Sequence, residues 1–337
     1  MMRILTRVSL SVKLTKKSWR CAGKLFIITV MTTDSQSIDE PSTPFNPPWT
    51  GMDLRHADVI IDLFDRAAKA NLASKHRTGS VANLPANQQV LITGDLHDHG
   101  MNFQRILKLA ELHVSDQNHV ILHEIVHGES RVNGRDMSIR TLGCVAALKL
   151  AYPDQVHIMQ SNHDLAQMLG EGILKDSISV IDSFNDGVDF IYADEADDVR
   201  DAMNGFIHSY LMAVRCPNDL FISHSLPSPQ KLPTFDWTLL DRVPTDEDLQ
   251  RTGSGYHMVW GRNHTEAFQD KVCEELGVKL FVMGHQPADM GYVALQTKML
   301  VLASDHSHGM VLPLRTSKSY TMDDLIELMI PLASVVM

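Results

Sequence analysis

Asp95, His97, Asp98 and His99 crowd into the stretch LITGDLHDHG, residues 91–100, directly behind an apolar run. A carboxylate and an imidazole two positions apart, at the mouth of a buried strand, are donors for a divalent cation. The same juxtaposition recurs downstream. HEIVHGE (123–129) carries Glu124 and His127, SNHD (161–164) carries Asn162, His163 and Asp164, ISHS (222–225) carries His224, and MGHQ (283–286) carries His285. Two carboxylates, three imidazoles and one side-chain amide are too many donors for one closed tetrahedral ion. They suit two divalent ions (Mn, Fe or Zn) sharing a carboxylate, with positions left for water. Two ions about 4 Å apart activate a bridging water and hold a phosphoryl oxygen, so that attack on phosphorus is in line. A histidine beside them protonates the leaving alkoxide. Asp95 and His97 are expected to be ligands, with Asp98 and His99 behind them or at the rim.

Each fragment alone has a plainer reading. D-x-H after a strand is more often a loop or capping element, NHD is a common turn or helix cap, and a lone histidine is more often a hydrogen-bonded core residue. What outweighs these readings is the order, with every fragment at the end of an expected strand. The expected strands are 89–93, 119–125, 155–160, 188–193, 219–223, 279–283, 298–304 and 310–314. Helical spacing marks 53–73, with Asp53 as a possible cap, and 102–113, 137–151, 163–174, 195–213 and 263–276. Apolar strands alternating with helices predict an α/β protein whose sheets are buried, and strand ends in such sheets share one crevice. That is how residues some 190 positions apart in the chain can converge.

The 337 residues carry a net charge of −11, which argues against nucleic acid or an anionic membrane as partner. No basic track with interleaved aromatics is present, so a nuclease is disfavoured. The charge is uneven: residues 1–31 hold seven Lys or Arg and no acid, leaving −18 on the rest. The apolar run 25–31 after that basic start is too short to span a bilayer, and TTDSQS behind it lacks a small-residue cleavage pattern. A start of translation at Met31 is the plain alternative to a signal peptide. Cys21, Cys144, Cys216 and Cys273 are widely spaced and form no CxxC pair, which fits a reduced, cytoplasmic compartment. Expected organisation is a disordered leader at 1–51, one domain over 52–315, and a tail at 316–337 with a short helix.

With these residues in view, the chain resembles the calcineurin-like metallophosphoesterases, the superfamily containing the protein Ser/Thr phosphatases. The family pattern runs GDxH, GDxxDRG, GNH(D/E), a His after a VHGG-like strand end, then GH. Here GDLH (94–97) matches fully, SNHD has Ser161 in place of Gly, SHSL (223–226) supplies the fourth element and MGHQ the fifth. VWGRNH (259–264) is similar to the Trp-containing stretch before the last element in the phosphatase branch. The resemblance covers roughly residues 88–312. It implies a metallophosphoesterase fold, a four-layer αββα sandwich of two mixed β-sheets flanked by helices. It implies one metal held by Asp95, His97 and a bridging carboxylate, and a second held by that bridge, Asn162, His224 and His285. His163 would be the general acid.

The second element departs from the pattern. Glu124 stands for the bridging Asp, one methylene longer. His127 stands where the family has the Asp that orients the catalytic His, and Gly128 where it has a phosphate-binding Arg. Asp98 and Asp164 are then the candidates to orient His163, and Arg262, ahead of Arg131 and Arg140, the candidate for the missing positive charge. The expected function is metal-dependent hydrolysis of a phosphate ester, a phosphomonoesterase acting on a phosphorylated small molecule or phosphoprotein. Hydrolysis of a dinucleoside polyphosphate is the second reading. A degenerate member that binds metal or a phosphorylated ligand without turnover is the third. Substrate-selecting loops are expected within 165–260, around LPSPQKLPTFDWTLLDRVPTDED. Oligomeric state is not legible in the sequence.

Overall fold

The computed structural model describes residues 12–21, 24–33, 45–129, 131–175 and 178–337. Contacts divide the chain into two units, Met1–Pro44 and Phe45–Met337. In the first, strands Val12–Cys21 and Lys24–Thr33 pair antiparallel. The rest of the expected leader before Phe45 lies outside the described residues. The second unit takes up the chain at Phe45: Phe45 and Trp49 pack against the core, and Trp49 stacks on Phe103 with ring centroids 5.9 Å apart.

The second unit is built on two mixed sheets. One has seven strands, in the order Tyr292–Leu295, Met299–Leu302, Leu280–Met283, Leu220–Ile222, Ala213–Cys216, Val81–Asn83 and Arg77–Thr78. The other has five, in the order Ile330–Pro331, Met310–Arg315, Gln89–Asp95, Asn118–His123 and Val156–Ile158. Side chains alternate faces along a strand, so a strand buried on both sides shows its layer residue by residue. Val90, Ile92, Ile121, Ile222, Val282, Leu300 and Leu302 share one cluster between the sheets. Their neighbours Leu91, Val120 and Leu122 face helices Ala57–Leu72, Gly100–Ala110 and Ile139–Ala151. Phe221, Phe281, Met299 and Val301 face the opposite way, toward helix Glu266–Leu276. The result is helices, sheet, sheet, helices, the four-layer α/β architecture expected.

Several local expectations are corrected. Residues 188–193 are not a strand but the end of helix Val180–Tyr192. Val180, Ile181, Phe184, Val188 and Tyr192 recur at helical spacing on its buried face, and Ser179 caps it by accepting from the Asp182 amide. A six-residue, mostly apolar window cannot distinguish the two periods. Asp53 does not cap the first helix. Its carboxylate is taken by Arg55 Nε and Nη2 at 2.8 and 2.6 Å, and His56 stands at the cap without a side-chain bond. The helix expected over 195–213 spans Ala196–His208, because Ala213 is required as a strand residue beside Val81. The tail carries helix Met322–Leu328, opened by a reciprocal cap between Thr321 and Asp324. Among the described residues no helix is long and apolar enough to cross a membrane.

Candidate metal centre

Parallel pairing sets the strand ends side by side. Gln89–Asp95 runs parallel to Asn118–His123 with Asp95 opposite His123, and Asn118–His123 runs parallel to Val156–Ile158. In the facing sheet Leu220–Ile222 runs parallel to Leu280–Met283, so His224 and His285 leave on the same edge. A bridge between Asp95 and Ala303 ties the two sheets there. Gly94 allows that approach: a Cβ on it would lie 2.1 Å from the Leu302 carbonyl oxygen. His97, Asp98, Glu124, His127 and His285 all have left-handed backbone, with φ of 40°, 54°, 43°, 66° and 68°. Non-glycine residues are rarely held there, and such positions cluster at functional sites.

Of the expected residues, Asp95, His97, Glu124, Asn162, His163, Arg262 and His285 line one cavity of ≈ 280 Å³. His224 is buried directly behind it. The Asn162 Oδ1 lies 2.8 Å from His224 Nε2 and 2.7 Å from His285 Nδ1, and His224 Nε2 lies 3.6 Å from Glu124 Oε2. Adjacent ligands about 2.1 Å from one ion stand about 3 Å apart, so the spacing of these atoms suits a cation that displaces the ring protons now facing the Asn162 Oδ1. Asp95 accepts from the His285 amide through both oxygens, at 3.1 and 2.9 Å. Glu124 Oε1 accepts from the His163 amide at 2.9 Å, while its Oε2 lies 3.7 Å from His97 Nε2. The His97 Nδ1–H donates to the Val126 carbonyl at 2.9 Å. A carbonyl only accepts, so this bond fixes the tautomer and leaves Nε2 with its lone pair.

The electrostatics point the same way. Burial raises the Asp95 carboxyl to about 7, with the Asp305 charge adding to it. Glu124 is raised well above its ordinary value by burial, then by the Asp95 and Asp164 charges. Burial also lowers His285 to about 3 and His224 well below its usual range, so the imidazoles are neutral. Two carboxyls and neutral imidazoles packed together are what a divalent cation stabilises, returning the carboxyls to their charged form. Two orphaned atoms support the same fit: His224 Nδ1 and Asp305 Oδ1 are buried without a hydrogen-bond partner among the described residues.

The His163 ring is met by a residue outside the candidates named for orienting it. His127 is buried, and its Nε2–H donates to Gln167 Oε1 at 2.9 Å; the Gln167 amide nitrogen in turn donates to Asn185 Oδ1 at 2.9 Å. Burial holds His127 at about 4, so it is neutral and its Nδ1 is an acceptor. The His163 Nδ1–H donates to it at 2.9 Å. Asp98 is instead held by Thr141 Oγ1. Asp164, expected among the catalytic groups, is fully buried behind the site; it accepts from Ser161 Oγ at 2.8 Å and from the Val126 amide at 3.4 Å. It braces the loop carrying Glu124 rather than facing the cavity. His99 caps helix Gly100–Ala110, accepting from the Asn102 amide at 3.2 Å.

Arg262 reaches the cavity, donating from Nε to His285 Nε2 at 3.1 Å and from Nη2 to the His285 carbonyl at 3.3 Å. Neither Arg131 nor Arg140 lines it. An arginine at position 128 would not fit: a Cβ there would meet Asp98 Cβ at 2.7 Å. The remaining walls come from 286–289 and 303–306, including Asp289, Asp305 and His306. No described residue of 165–260, where substrate-selecting loops were expected, contributes to the lining. The run HEIVH has the spacing of helical zinc-protease ligands. Here its two histidines leave a strand end on different errands, His127 toward His163 and His123 toward Asp95 and His224. Sequence reasoning sets His127 at the position from which the resembling family orients its catalytic histidine but looks to Asp98 and Asp164 for the partner, and it gives His123 no part, since imidazole is not the residue type expected there.

No known family profile and no curated protein sequence matches the chain. Solved structures do. A protein serine/threonine phosphatase from Saccharomyces cerevisiae superposes with a TM-score of 0.59 at 14% identity, covering 82% of this chain and 93% of that one. A cold-active protein-tyrosine phosphatase from a psychrophilic Shewanella gives 0.50 at 13% identity, covering 92% of this chain and 95% of that one. A point mutant of a cold-active protein tyrosine phosphatase gives 0.52 at 13% identity, covering 92% of this chain and 96% of that one. The chain therefore shares its fold with these phosphatases.

Proposed function

We propose that the protein is a dinuclear metal-dependent phosphoester hydrolase, acting as a phosphomonoesterase. The observation that carries this reading is the convergence of Asp95, His97, Glu124, Asn162 and His285, with His224 buried behind them, on one cavity that also presents His163 and Arg262. The likeness of fold to phosphatases supports it. Bound divalent ions would supply the activated water and the Lewis acidity toward the phosphoryl group. The chain's own residues do the rest. Asp95 and His97 would hold one ion, Asn162, His224 and His285 the other, with Glu124 between the two sets of donors. Arg262 offers its remaining guanidinium donors to a phosphoryl oxygen. His163, presented by helix Asn162–Leu169 and turned by His127, delivers a proton to the leaving oxygen. Glu124 lines the cavity with Oε2 3.7 Å from His97 Nε2 and 3.6 Å from His224 Nε2, which supports an active centre over a degenerate binder.

The test is elemental analysis and a phosphoester panel on protein loaded with Mn, Fe or Zn. The expected result is at least two ions per chain and turnover of phosphomonoesters, lost on chelation and restored by metal. His163→Asn should keep both ions and lose about 10²–10⁴ in turnover. Two bound ions with no turnover of any phosphate ester would overturn the reading in favour of a binding protein. A preference for dinucleoside polyphosphates would move the substrate class. The cytoplasmic location and a phosphorylated small molecule or phosphoprotein as substrate belong to the same reading.

A further inference from the structure

His123 stands outside the ligand set described so far, at a position where the resembling family has glycine. It ends strand Asn118–His123 and is fully buried. Among the described residues neither of its ring nitrogens has a hydrogen-bond partner. Burying an imidazole with both nitrogens unpaired is unfavourable, and such groups in folded proteins call for an explanation. Its surroundings supply one. A ring nitrogen of His123, a carboxylate oxygen of Asp95 and a ring nitrogen of His224 all lie within 4.8 Å of one another. His224 is itself two-faced: Nε2 meets Asn162, while Nδ1 has no hydrogen-bond partner among the described residues and lies 3.5 Å from Asp95 Oδ1. Gly284 keeps the space open, since a Cβ there would meet Asp95 Oδ1 at 2.1 Å and His123 Nδ1 at 3.1 Å.

We propose that His123 is a metal ligand, completing with Asp95 and His224 Nδ1 an inner cation position behind the cavity; a neutral imidazole has one lone pair, so His224 serves this position in place of the outer one. This rests on the reading of the cavity as a metal centre but not on its phosphoesterase activity. Two imidazoles to one carboxylate make this position richer in nitrogen than a Mn or Mg site. It therefore selects a borderline ion such as Zn, Fe or Co. Full burial means the ion is held for affinity and for fixing Asp95, while the cavity-facing donors meet substrate.

The experiment titrates the metal-free full chain with Zn²⁺ alone and with Co²⁺ alone. It reads ions per chain, the cobalt d–d absorption and the shift in melting temperature. His123→Gln and His123→Gly should fold, by circular dichroism, yet bind one ion at least about tenfold more weakly and change the cobalt spectrum. Their preference for Zn over Mn should shrink. A second variant works if these fail to fold: Asn162→Ala with His285→Ala removes two outer donors and, at one equivalent of zinc, should show two imidazoles in its X-ray absorption spectrum, where Asp95, His97 and Glu124 alone would show one. Wild-type stoichiometry, affinities within twofold and an unchanged cobalt spectrum in the His123 variants would overturn the proposal. So would loss of all zinc in the double variant. Zinc binding that depends on His123 in a protein without phosphoester turnover would overturn the function and leave this inference standing. An active dinuclear enzyme indifferent to position 123 would do the reverse.

Discussion

Replacing His127 by leucine isolates the orientation of His163, the general acid proposed above. In the native site the His163 Nδ1–H donates to a neutral, buried His127 Nδ1 at 2.9 Å, and Gln167 fixes the tautomer from the far side. Leucine is close in volume and removes the acceptor. A polar group so orphaned costs about 1–3 kcal/mol. If the bond acts fully in the transition state, that is a loss of roughly 5–150-fold in kcat. The loss cannot exceed the whole worth of the acid, about 10²–10⁴. The assay compares an alkyl phosphate, whose leaving group needs a proton, with p-nitrophenyl phosphate, whose leaving group does not. The expected result is about a 10–100-fold loss on the alkyl ester and a much smaller one on the aryl ester, with metal content unchanged. In a His163→Asn background the same substitution should add nothing. Equal losses on both esters, or full additivity with His163→Asn, would refute the reasoning.

Arg262→Ala should lower kcat/KM about 10–100-fold, as loss of a charge-assisted phosphate contact would, with Arg262→Lys intermediate; steady-state kinetics at constant metal content checks this. Gly94→Ala should destabilise by at least about 2–4 kcal/mol, read in a denaturant melt, because its Cβ would meet the Leu302 carbonyl oxygen at 2.1 Å. Lys149 is buried, with Nζ donating to the Pro153 and Val156 carbonyls at 2.7 and 2.9 Å, and burial lowers it to about 7. The unfolded chain, with an ordinary lysine near ~10.4, then binds more protons across that interval, so this residue makes stability rise from pH 7 toward about 10. Lys149→Met should abolish that part of the rise, and the difference between the two unfolding free energies measured at pH 7 and 10 tests the sign.

Much of the fold was legible locally. Strands buried on both faces read as apolar runs, and Val90, Leu91 and Ile92 announce their strand whatever lies around them. The short strands Val81–Asn83 and Ala213–Cys216 carry too few residues to show a period, and exist because each is the other's partner. Residues 188–193 are apolar enough for either element; the choice fell to helix when Ile181, Phe184 and Val188 found a common buried face.

The site divides along the same line. Asp95, His97, Glu124, Asn162, His224 and His285 could be picked out as candidate donors from residue type and from position at strand ends, because chemistry restricts which side chains hold a divalent cation, and the folded chain brings them together. Which neighbour turns His163, and where the His123 ring goes, depended on packing. Asp98 and Asp164 carry the carboxylates that residue type would favour for that task, yet Thr141 and Ser161 claim them first. His285 meets Asp95 across 190 positions of chain, a contact no local signal encodes. Residue type and order were enough to name the candidate donors and most of the elements that bear them. Tertiary structure decided their partners, because a buried polar group must be satisfied by whatever the closed sheets bring within hydrogen-bond reach.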